Sequence, residues 1–478
     1  MSNLNIFTTI KEETSQYRDN IAVKEDNTSI TYKKLFSLVD KLSNEFRIKG
    51  LTKNSIVAVQ YPDSHEYIII CLAVLSLNAI IAPAPMSMSK SELTELITKL
   101  NASYLICQND SKNDTSYTNV YPGMNIDIIQ YATSKPEYHD KLCSMNPAFI
   151  RFSSGTTGTS KGVLLSHQSV IERTDAANTG LQITNEDIVI WLLNMSFHFV
   201  VTILLFLRKA ATIVICGNQF PLSLLDELKA NKGSFIYASP FHYKMMVDSA
   251  MFTPNLLSHT RLAISTAMKL LMTDAEAFYE KFKIELSEAY GIIEVGLPFI
   301  HTPFDHDKRG SVGKKLYPYE AKIVNKDTDN KGQICIKGPG FFNAYMNPFK
   351  TFEDLFSDGW FNTGDIGYLD ADNYLFIVGR KKELINFAGM KIFPYAIEEV
   401  IQKCSSVKEV MIYGQDHNSF GEIPCAQIVL HDGYQKENEL TEIKKYCYKH
   451  LSQYKVPKKF KFVNKIEKTQ SGKIKRFL

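Results

Sequence analysis

The residues with the clearest chemical potential form one short loop after an apolar strand at Phe149–Phe152. The loop runs from Ser153 to Gly162, reads SSGTTGTSKG, and contains three glycines, six hydroxyl side chains and one lysine. Glycines let backbone amides approach a ligand closely, hydroxyl groups donate hydrogen bonds, and a lysine supplies a point charge suited to phosphate. Composition alone therefore allows two interpretations, a phosphate-binding loop and a flexible Ser/Thr/Gly turn.

This loop is not a Walker A motif, because that motif ends in Gly-Lys-Ser/Thr and here Ser160 precedes Lys161. The order SSGTTGxxKG instead resembles the signature of the adenylate-forming superfamily, which includes acyl- and aryl-CoA ligases, adenylation domains of peptide synthetases and firefly luciferase. The resemblance implies that the loop holds the β- and γ-phosphates of ATP. The loop residues to which it assigns ATP binding are Ser153, Ser154, Gly155, Thr156, Thr157, Gly158 and Lys161.

A second segment, EAYGIIE at 288–294, resembles the Y-G-x-T-E element of the same superfamily. In that element the aromatic ring lies by the adenine, and the glutamate engages Mg²⁺ on the phosphates, as expected for a hard cation. Ile293 stands where threonine is usual, so the expected hydroxyl contact is missing. The resemblance makes Glu294 a catalytic residue and the magnesium ligand, and it assigns ATP binding to Glu288, Ala289, Tyr290 and Gly291.

Two motifs near the middle of the C-terminal half complete the expected nucleotide site. NTGD at 362–365 resembles the superfamily's T-G-D, which implies that Asp365 accepts hydrogen bonds from the ribose hydroxyls, a role suited to an ionised carboxylate. GRKKELI at 379–385 resembles the hinge motif, which implies that Arg380 also reaches the ribose and that Lys382 is the hinge residue. The alternative interpretation of Asp365 is an ordinary aspartate in a turn. The alternative for the segment 380–382 is a solvated run of basic residues.

The last two motifs concern the thiol and the catalytic lysine. GMKI at 389–392 resembles the segment that meets the pantetheine arm, which implies a thiol tunnel at Gly389 and Lys391. KTQSGKIKR at 468–476 resembles the superfamily's K-T-x-x-G-K-x-x-R, which makes Lys473 the catalytic, ATP-contacting lysine. Its charge would bridge the attacking carboxylate and the α-phosphate. Without the motif, Lys473 is one of many basic residues at the C-terminus, which could form a solvated tail or a site for a polyanion.

The acid is expected near LNMSFH at 193–198, which resembles the aromatic-His element beside the acid pocket. Domains that activate α-amino acids usually carry Phe-Asp there, so Phe197-His198 disfavours an amino acid substrate. We interpret the segment as an apolar strand, on which a lone histidine would by itself be an ordinary buried residue. The resemblance instead makes His198 a catalytic residue that contacts the acid or gates its tunnel. An apolar pocket without a charge partner would suit an aryl, cinnamoyl-like or medium-chain fatty acid. The predicted lining residues are His198, Phe199, Thr202, Tyr237, Thr266, Ile292 and Ile293.

STAMKL at 265–270 stands where the superfamily usually has a small S-G-G/A-A-P-L loop. Ala267 would belong to the ATP site, whereas Thr266 and Met268 add bulk. Lys269 takes the usual proline position, and we expect it to meet a polar end of the substrate or to face solvent.

These residues are positioned by alternating strands and helices, beginning with a helix at Thr31–Phe46 and a strand at Ser55–Gln60. Such alternation predicts an α/β fold with mainly parallel sheets covered by helices. The polar stretch 108–146 is interpreted as a surface connection. From about Glu320, short strands with Asn/Asp/Gly turns predict a small antiparallel, barrel-like sheet. We expect an N-terminal ATP- and acid-binding domain at 1–379 and a small mobile α+β domain at 380–478.

Composition narrows the possible partners and compartment. The 478 residues carry a net charge of +3, which gives no general reason to expect nucleic acid as a partner. The eight cysteines form no C-x-x-C pair, which argues against a zinc site or a disulfide framework and favours a reducing compartment. We see no signal peptide, and the longest apolar run is far shorter than the roughly 20 residues of a membrane span. The sequence therefore predicts a cytoplasmic protein, monomeric or homodimeric.

The predicted reaction is ATP- and Mg²⁺-dependent conversion of a small-molecule carboxylic acid to acyl-AMP, followed by thioester formation with CoA. One alternative is a stand-alone adenylating enzyme that loads the acid onto the phosphopantetheine of an acyl carrier protein. The other, from a different class, is a catalytically silent member that binds acyl groups or a partner.

Overall fold

The computed structural model describes residues 4–108, 126–152, 161–217, 219–388, 390–468 and 473–476. Seven residues with predicted roles lie outside the described residues: Ser153, Ser154, Gly155, Thr156, Thr157, Gly158 and Gly389. Among the helices of the described ranges, none combines the length and the apolar character required to cross a membrane.

Two large sheets make up most of the N-terminal part. The first has nine strands, and its centre is parallel, with antiparallel neighbours at both edges. In spatial order its strands are Lys314–Lys315, Gly296–Ile300, Leu286–Ile292, Leu262–Ser265, Phe235–Ala238, Ile188–Trp191, Thr212–Ile215, Ile21–Glu25 and Thr28–Thr31. Its strands carry the predicted adenine residues and two of the predicted acid-pocket residues, Tyr237 and Ile292.

The second sheet has eight strands, and it carries the phosphate loop. Its parallel centre is extended on both sides by antiparallel strands. In spatial order the strands are Phe349–Thr351, Ala344–Met346, Gly162–Ser166, Pro147–Phe152, Ile80–Pro83, Ile56–Gln60, Tyr104–Gln108 and Ile126–Gln130. The loop 153–161 joins Pro147–Phe152 to Gly162–Ser166, which are antiparallel neighbours.

Helices cover both sheets, and their sequences explain their positions. In Tyr32–Ile48, Thr31 accepts a hydrogen bond from the Lys34 amide as the N-cap, and the apolar residues recur at helical spacing and are buried. His65–Ser76 is apolar on all sides and almost completely buried, as expected for a helix inside the core. The α-helices are Ile6–Glu13, Tyr32–Ile48, His65–Ser76, Lys90–Leu100, His139–Ser144, His167–Leu181, Met195–His198, Leu204–Arg208, Leu222–Ala230, Pro240–Asp248, Met272–Phe282, Phe352–Leu355, Pro394–Ile401 and Lys436–His450.

A third sheet has four antiparallel strands. All four come from residues 320–380, just before the C-terminal part of the chain. Its strands, in order, are Glu320–Val324, Gly332–Lys337, Phe361–Leu369 and Leu375–Arg380. The predicted α/β fold class with a small antiparallel sheet is confirmed.

The C-terminal part is a smaller α+β unit with its own apolar core. Strands Met390–Ile392, Ile385–Phe387, Gly421–Leu430 and Val407–His417 form a sheet, and Lys459–Phe462 pairs in parallel with Gly421–Leu430. Helices Pro394–Ile401 and Lys436–His450 contribute buried residues to this core, which is separate from those of the large sheets. The short turn Lys381–Glu383 connects the unit to the third sheet.

Two sequence interpretations were wrong. The polar stretch 108–146 is not only a connection, because Ile126–Gln130 adds an edge strand and His139–Ser144 forms a helix. The segment around His198 is not a strand: Met195–His198 is helical, Phe199–Ile203 is a π-helical turn, and Leu204–Arg208 continues as helix. A short apolar run fits a buried strand and a buried helix equally well, and here Asn194 caps the helix by accepting from the Ser196 amide at 3.0 Å.

Candidate active site

The predicted ribose residues lie directly opposite each other on two adjacent antiparallel strands. Asp365 in Phe361–Leu369 is paired in register with Arg380, the last residue of Leu375–Arg380. The Arg380 Nε lies 3.0 Å from Asp365 Oδ1 in an ion pair, and the Tyr290 hydroxyl donates to Oδ2 at 2.5 Å. Asp365 is 3% exposed, and its charge raises the pKa of Arg380. The arrangement gives a carboxyl group held in place next to a guanidinium, which suits recognition of hydroxyl groups.

Tyr290 and Glu288 extend from the strand Leu286–Ile292, which ends in a tight bend at Gly291. A Cβ at Gly291 would lie 2.7 Å from the Gly296 carbonyl oxygen, so the close approach of these two backbones requires glycine there. Burial raises the pKa of Glu288 to about 7, and Lys269 opposes this shift. Ala289 is buried behind Tyr290. The strand therefore brings Tyr290 to Asp365, in keeping with one nucleotide site.

Glu294 lies beyond the bend, where it faces Tyr345 from the eight-stranded sheet. The Tyr345 hydroxyl donates to Glu294 Oε1 at 3.3 Å, and the Lys161 ammonium lies 4.7 Å from the centre of the Tyr345 ring. Burial raises the pKa of the Glu294 carboxyl, while this hydrogen bond and the charges of Arg380 and Arg173 oppose the shift. Tyr345 therefore connects the last residue of the phosphate loop to the predicted magnesium ligand.

Lys473 of the C-terminal segment reaches this same group of residues. Burial and the charge of Arg380 lower the pKa of Lys473, whereas Asp365, Glu294 and Glu383 act to raise it. Two regions almost 180 residues apart in sequence, at 294 and at 473, are thus brought together at one site.

The position of Lys473 depends on Arg476, which is buried in the C-terminal unit. Its guanidinium forms a forked pair with Glu398, at 2.9 Å to Oε2, and donates at 2.8 Å to the Ile412 carbonyl. Its Nε also donates to Glu383 at 3.0 Å, next to the predicted hinge residue Lys382. Such bidentate, charge-assisted bonds fix direction as well as distance, so they hold the end of the chain in place.

His198 is surrounded by aromatic rings and by two cations. Its ring centre lies 6.2 Å from that of Trp191 and 6.4 Å from that of Tyr237. Burial, and then the charges of Arg151 and Lys473, lower the pKa of His198 to about 3. The imidazole is therefore neutral at pH 7 and can exchange hydrogen bonds without adding charge to the site.

The sequence as a whole matches the family described as AMP-binding enzyme over residues 10–346, and the AMP-binding enzyme C-terminal domain over residues 396–473. The chain belongs to the AMP-binding enzyme family. It is 27% identical to 2-succinylbenzoate–CoA ligase of Listeria monocytogenes over 455 residues, 93% of each chain. It is 29% identical to 4-coumarate:CoA ligase 1 of Petunia hybrida over 470 residues, 89% of this chain and 84% of the relative.

The fold agrees with a solved structure of the same kind. The crystal structure of ATP-bound MatB from Rhodopseudomonas palustris superposes with a TM-score of 0.85 at 24% identity, over 98% of this chain and 97% of that one. The relatives confirm the prediction of an adenylate-forming enzyme of the acyl- or aryl-CoA ligase kind, that is, an AMP-forming acid–thiol ligase.

Four of the predicted acid-pocket residues of this AMP-binding enzyme, Phe199, Thr202, Tyr237 and Thr266, are buried, and Tyr237 lies next to His198. Phe199 and Thr202 are buried, and the Thr202 hydroxyl donates to the His198 carbonyl. Tyr237 is 3% exposed, and burial raises its pKa to about 12, while a hydrogen bond with Thr266 opposes the shift. Ile292 and Ile293 are partly buried and flank the bend that carries Glu294.

Lys269 is exposed, which is one of the two positions expected for it, but its ammonium is not unpaired. It forms an ion pair with Glu399 in the helix Pro394–Ile401. The preceding Ala267 has φ of 72°, a strained left-handed conformation for a residue with a Cβ. This strained turn directs the chain so that Lys269 faces the C-terminal unit. Lys382 and Lys391 are exposed on that unit.

The sequence analysis missed three residues that shape the site. Tyr345 links Lys161 to Glu294, as described above. Arg173 in the helix His167–Leu181 is 1% exposed and donates to the Gly340 carbonyl and, at 3.1 Å, to the Ile293 carbonyl, which fixes the backbone beside Glu294. Arg151 lies in the strand that leads into the phosphate loop. None of the three belongs to a motif considered above, and only the placement of a basic residue in the apolar strand at 149–152 was a visible signal.

Proposed function

We propose that this AMP-binding enzyme converts a carboxylic acid and ATP to acyl-AMP and pyrophosphate, and then transfers the acyl group to the thiol of CoA. One observation carries the proposal: Lys473 lies within the electrostatic environment of Glu294, Asp365 and Arg380. This proximity supports a role for Lys473 beside the proposed nucleotide residues, as adenylate formation would require.

In the first half-reaction, an oxygen of the acid attacks the α-phosphorus, and the bond to pyrophosphate breaks. Lys473 would bridge the attacking carboxylate and the α-phosphate, where negative charge accumulates. Lys161 and the loop 153–160 would hold the leaving phosphates, and Asp365 with Arg380 would hold the ribose hydroxyls. These roles leave Tyr290 to position the adenine and to fix Asp365 through its 2.5 Å hydrogen bond.

Glu294 fits the magnesium that the family uses with ATP. Its carboxyl accepts a single side-chain hydrogen bond within the described residues, from Tyr345, and burial raises its pKa. A carboxylate in that situation gains stability from a neighbouring divalent cation, which it can ligate together with phosphate oxygens. Mg²⁺ bound there would neutralise charge on the phosphates of ATP.

In the second half-reaction, the thiol attacks the carbonyl carbon of the mixed anhydride, and AMP leaves. We infer that residues 380–478 act as a mobile domain that turns about Lys382, relative to a domain of residues 1–379. The turn would withdraw Lys473 and bring Gly389 and Lys391 to the thiol. Domain rotation is a common way to let one site serve two steps.

Neutral His198 would line the boundary between the acid and the thiol path. Because it carries no charge at pH 7, it can form hydrogen bonds with the acid without competing with Lys473 for the carboxylate. Trp191 and Tyr237 pack edge-to-face against its ring, which would hold the imidazole beside the acid.

We favour free CoA as the thiol because Lys458, Lys459 and Lys461 form an exposed basic strip on the C-terminal unit. Such a strip attracts the phosphates of CoA. An acidic carrier protein with phosphopantetheine is the alternative acceptor, because its thiol chemistry is the same. A catalytically silent protein is disfavoured, since Lys161, Glu294, Asp365, Arg380 and Lys473 are all present.

The test is acid-dependent ATP–pyrophosphate exchange across aryl, cinnamic, fatty and dicarboxylic acids, followed by thioester formation with CoA and with holo-carrier protein in parallel. We expect exchange with at least one class and thioester with CoA. Lys473→Ala should lose the exchange and keep thioester formation from supplied acyl-AMP. If both half-reactions survive unchanged in Lys473→Ala, the proposed role of Lys473 is wrong, and if no acid supports exchange, the silent alternative holds.

A further inference from the structure

A basic residue, Arg151, lies on the strand whose Phe149 packs against the predicted acid-pocket residue Phe199. Arg151 belongs to the strand Pro147–Phe152, two residues after Phe149, and residues two apart on a strand face the same side. Phe149 is completely buried, and its ring centre lies 6.3 Å from that of Phe199, the residue after His198. Phe199 in turn lies 5.7 Å from Tyr67, ring centre to ring centre. Arg151 therefore extends this aromatic face toward the phosphate loop.

The surroundings of Arg151 leave its charge without a paired anion. Tyr67, Phe149 and Phe199 are buried, whereas Arg151 keeps some exposed surface. In the described part of the chain, its guanidinium forms no hydrogen bond and no ion pair within 4.0 Å. Burial lowers the pKa of Arg151 to about 10, with Arg173 acting in the same direction and Tyr67 and Glu294 opposing it. The guanidinium is thus charged at pH 7 and poorly solvated.

A partly desolvated guanidinium is costly unless an anion pairs with it. Glu294, the acidic group that acts on Arg151, is assigned above to magnesium, whose charge would offset that of the carboxylate. A bound ligand is then the remaining source of negative charge. The planar fork of a guanidinium matches a carboxylate, which it can bind through two parallel hydrogen bonds.

The reacting carboxylate of the acid is a poor match for this cation. That carboxylate loses its charge as it becomes the mixed anhydride, so a cation dedicated to it would stabilise the ground state more than the transition state. Lys473 avoids this problem because it also contacts the phosphate. A second carboxylate elsewhere on the acid keeps its charge throughout, and pairing with it would improve binding in every state.

We propose that Arg151 binds the second carboxylate of a dicarboxylic acid substrate, and that it selects such acids over monocarboxylic ones. This inference rests on the proposed acid activation. It replaces the expectation of an apolar pocket without a charge partner, while the aromatic face of Phe149, Phe199 and Tyr67 would surround the carbon skeleton between the two carboxylates.

The first test uses the wild-type enzyme. Thioester formation with CoA is compared for glutarate, adipate, phthalate and terephthalate and for the monomethyl ester of each, which keeps one carboxylate and the approximate shape. We expect kcat/KM for the preferred diacid to exceed that of its monoester by at least about tenfold, since only the diacid can form charge-assisted hydrogen bonds with the guanidinium. A preference for the monoester in every pair would overturn the inference and leave the proposed function intact.

The second test uses Arg151→Met and Arg151→Lys, with thermal unfolding to confirm that each variant folds. In Arg151→Met the ratio of kcat/KM for diacid to monoester should fall by roughly 10- to 100-fold, and in Arg151→Lys by less, because charge is kept and the fork is lost. KM for ATP should stay close to wild type in both variants. The opposing result is that Arg151→Met raises KM for ATP and lowers the turnover of diacid and monoester equally. In that case Arg151 binds the phosphates of ATP, and the inference is wrong. If the wild type forms no thioester and supports no exchange with any acid, the proposed function and the inference both fail.

Discussion

Lys269 forms an ion pair with Glu399, and this contact joins the loop after the strand Leu262–Ser265 to the helix Pro394–Ile401 of the C-terminal unit. The two side chains are 31% and 44% exposed, and the Lys269 ammonium also lies 5.9 Å from the centre of the Tyr395 ring. The pair is present in the same arrangement in which Glu294 and Asp365 act on the charge of Lys473, so we expect it to stabilise the arrangement proposed for adenylation.

Removing this pair should shift the balance between the two half-reactions. We expect Lys269→Met to lower the rate of ATP–pyrophosphate exchange by about two- to fivefold, because an exposed ion pair contributes about 0.2–1 kcal/mol. Thioester formation from supplied acyl-AMP should be equal or faster. Lys99→Met, which removes an exposed ion pair with Glu95 on the helix Lys90–Leu100, is the matched control and should change neither rate. Equal losses in both half-reactions of Lys269→Met would contradict this role.

Tyr290→Phe should weaken ATP binding without affecting the acid. The substitution keeps the ring but removes the hydroxyl that donates to Asp365 at 2.5 Å, so the carboxylate loses a fixed partner. We expect KM for ATP to rise by about tenfold and KM for the acid to stay within about twofold, as measured by steady-state kinetics. Tyr374→Phe, which removes a hydroxyl that donates to Asp305 at 3.4 Å, serves as the control outside the site. An unchanged KM for ATP in Tyr290→Phe would show that the hydroxyl is dispensable.

Arg476→Lys should impair adenylation by misplacing Lys473. Lysine keeps the charge but cannot reproduce the forked contact with Glu398 or reach Glu383 and the Ile412 carbonyl at once. We expect pyrophosphate exchange to fall by about tenfold while thioester formation from supplied acyl-AMP falls less. Lys475→Met changes the exposed neighbour and should behave like the wild type. A comparable defect in Lys475→Met would mean that any change in this segment is harmful.

Glu288→Gln should alter the pH dependence of stability. Burial raises the pKa of Glu288 to about 7 from its ordinary 4.5, so between these values the folded protein holds a proton that the unfolded chain has released. Wild-type stability therefore contains a contribution that is complete below pH 4.5 and lost as the pH rises through 7. In the uncharged Glu288→Gln variant this contribution does not change with pH. The melting temperature of the variant minus that of the wild type should therefore rise from pH 5 to 7 and then level off. A constant difference from pH 5 to 8 would contradict the shift.

Sequence patterns were sufficient to predict the helices and strands that are determined by residues close together in the sequence. The helix Tyr32–Ile48, the strand Ile56–Gln60 and the antiparallel sheet after Glu320 follow from periodicity and turn residues, and they agree with the expectations within a few residues. The ordered motifs also identified Asp365, Arg380 and Lys473 as candidates for one site, and the structure brings them together.

Other features depend on pairing between distant segments, which no local pattern reveals. The contact of Tyr345 with Glu294 arises from the register of Ala344–Met346 on Gly162–Ser166, and the partner of Lys269 lies 130 residues away. Arg151 stood out only as a basic residue in an apolar strand, because its neighbours Tyr67 and His198 lie in other elements. The π-helical turn at Phe199–Ile203 was missed because apolar runs fit several conformations.

Arg380 is both the partner of Asp365 and the residue immediately before the turn Lys381–Glu383. With the proposed hinge at Lys382, the ribose would therefore be bound almost on the axis of rotation, where displacement is smallest. Lys473, held through Arg476 on the rotating body, would travel along an arc away from that axis. The rotation would therefore replace Lys473 by the thiol-contacting residues while the nucleotide remains bound. AMP would then be released only after the acyl group has been transferred.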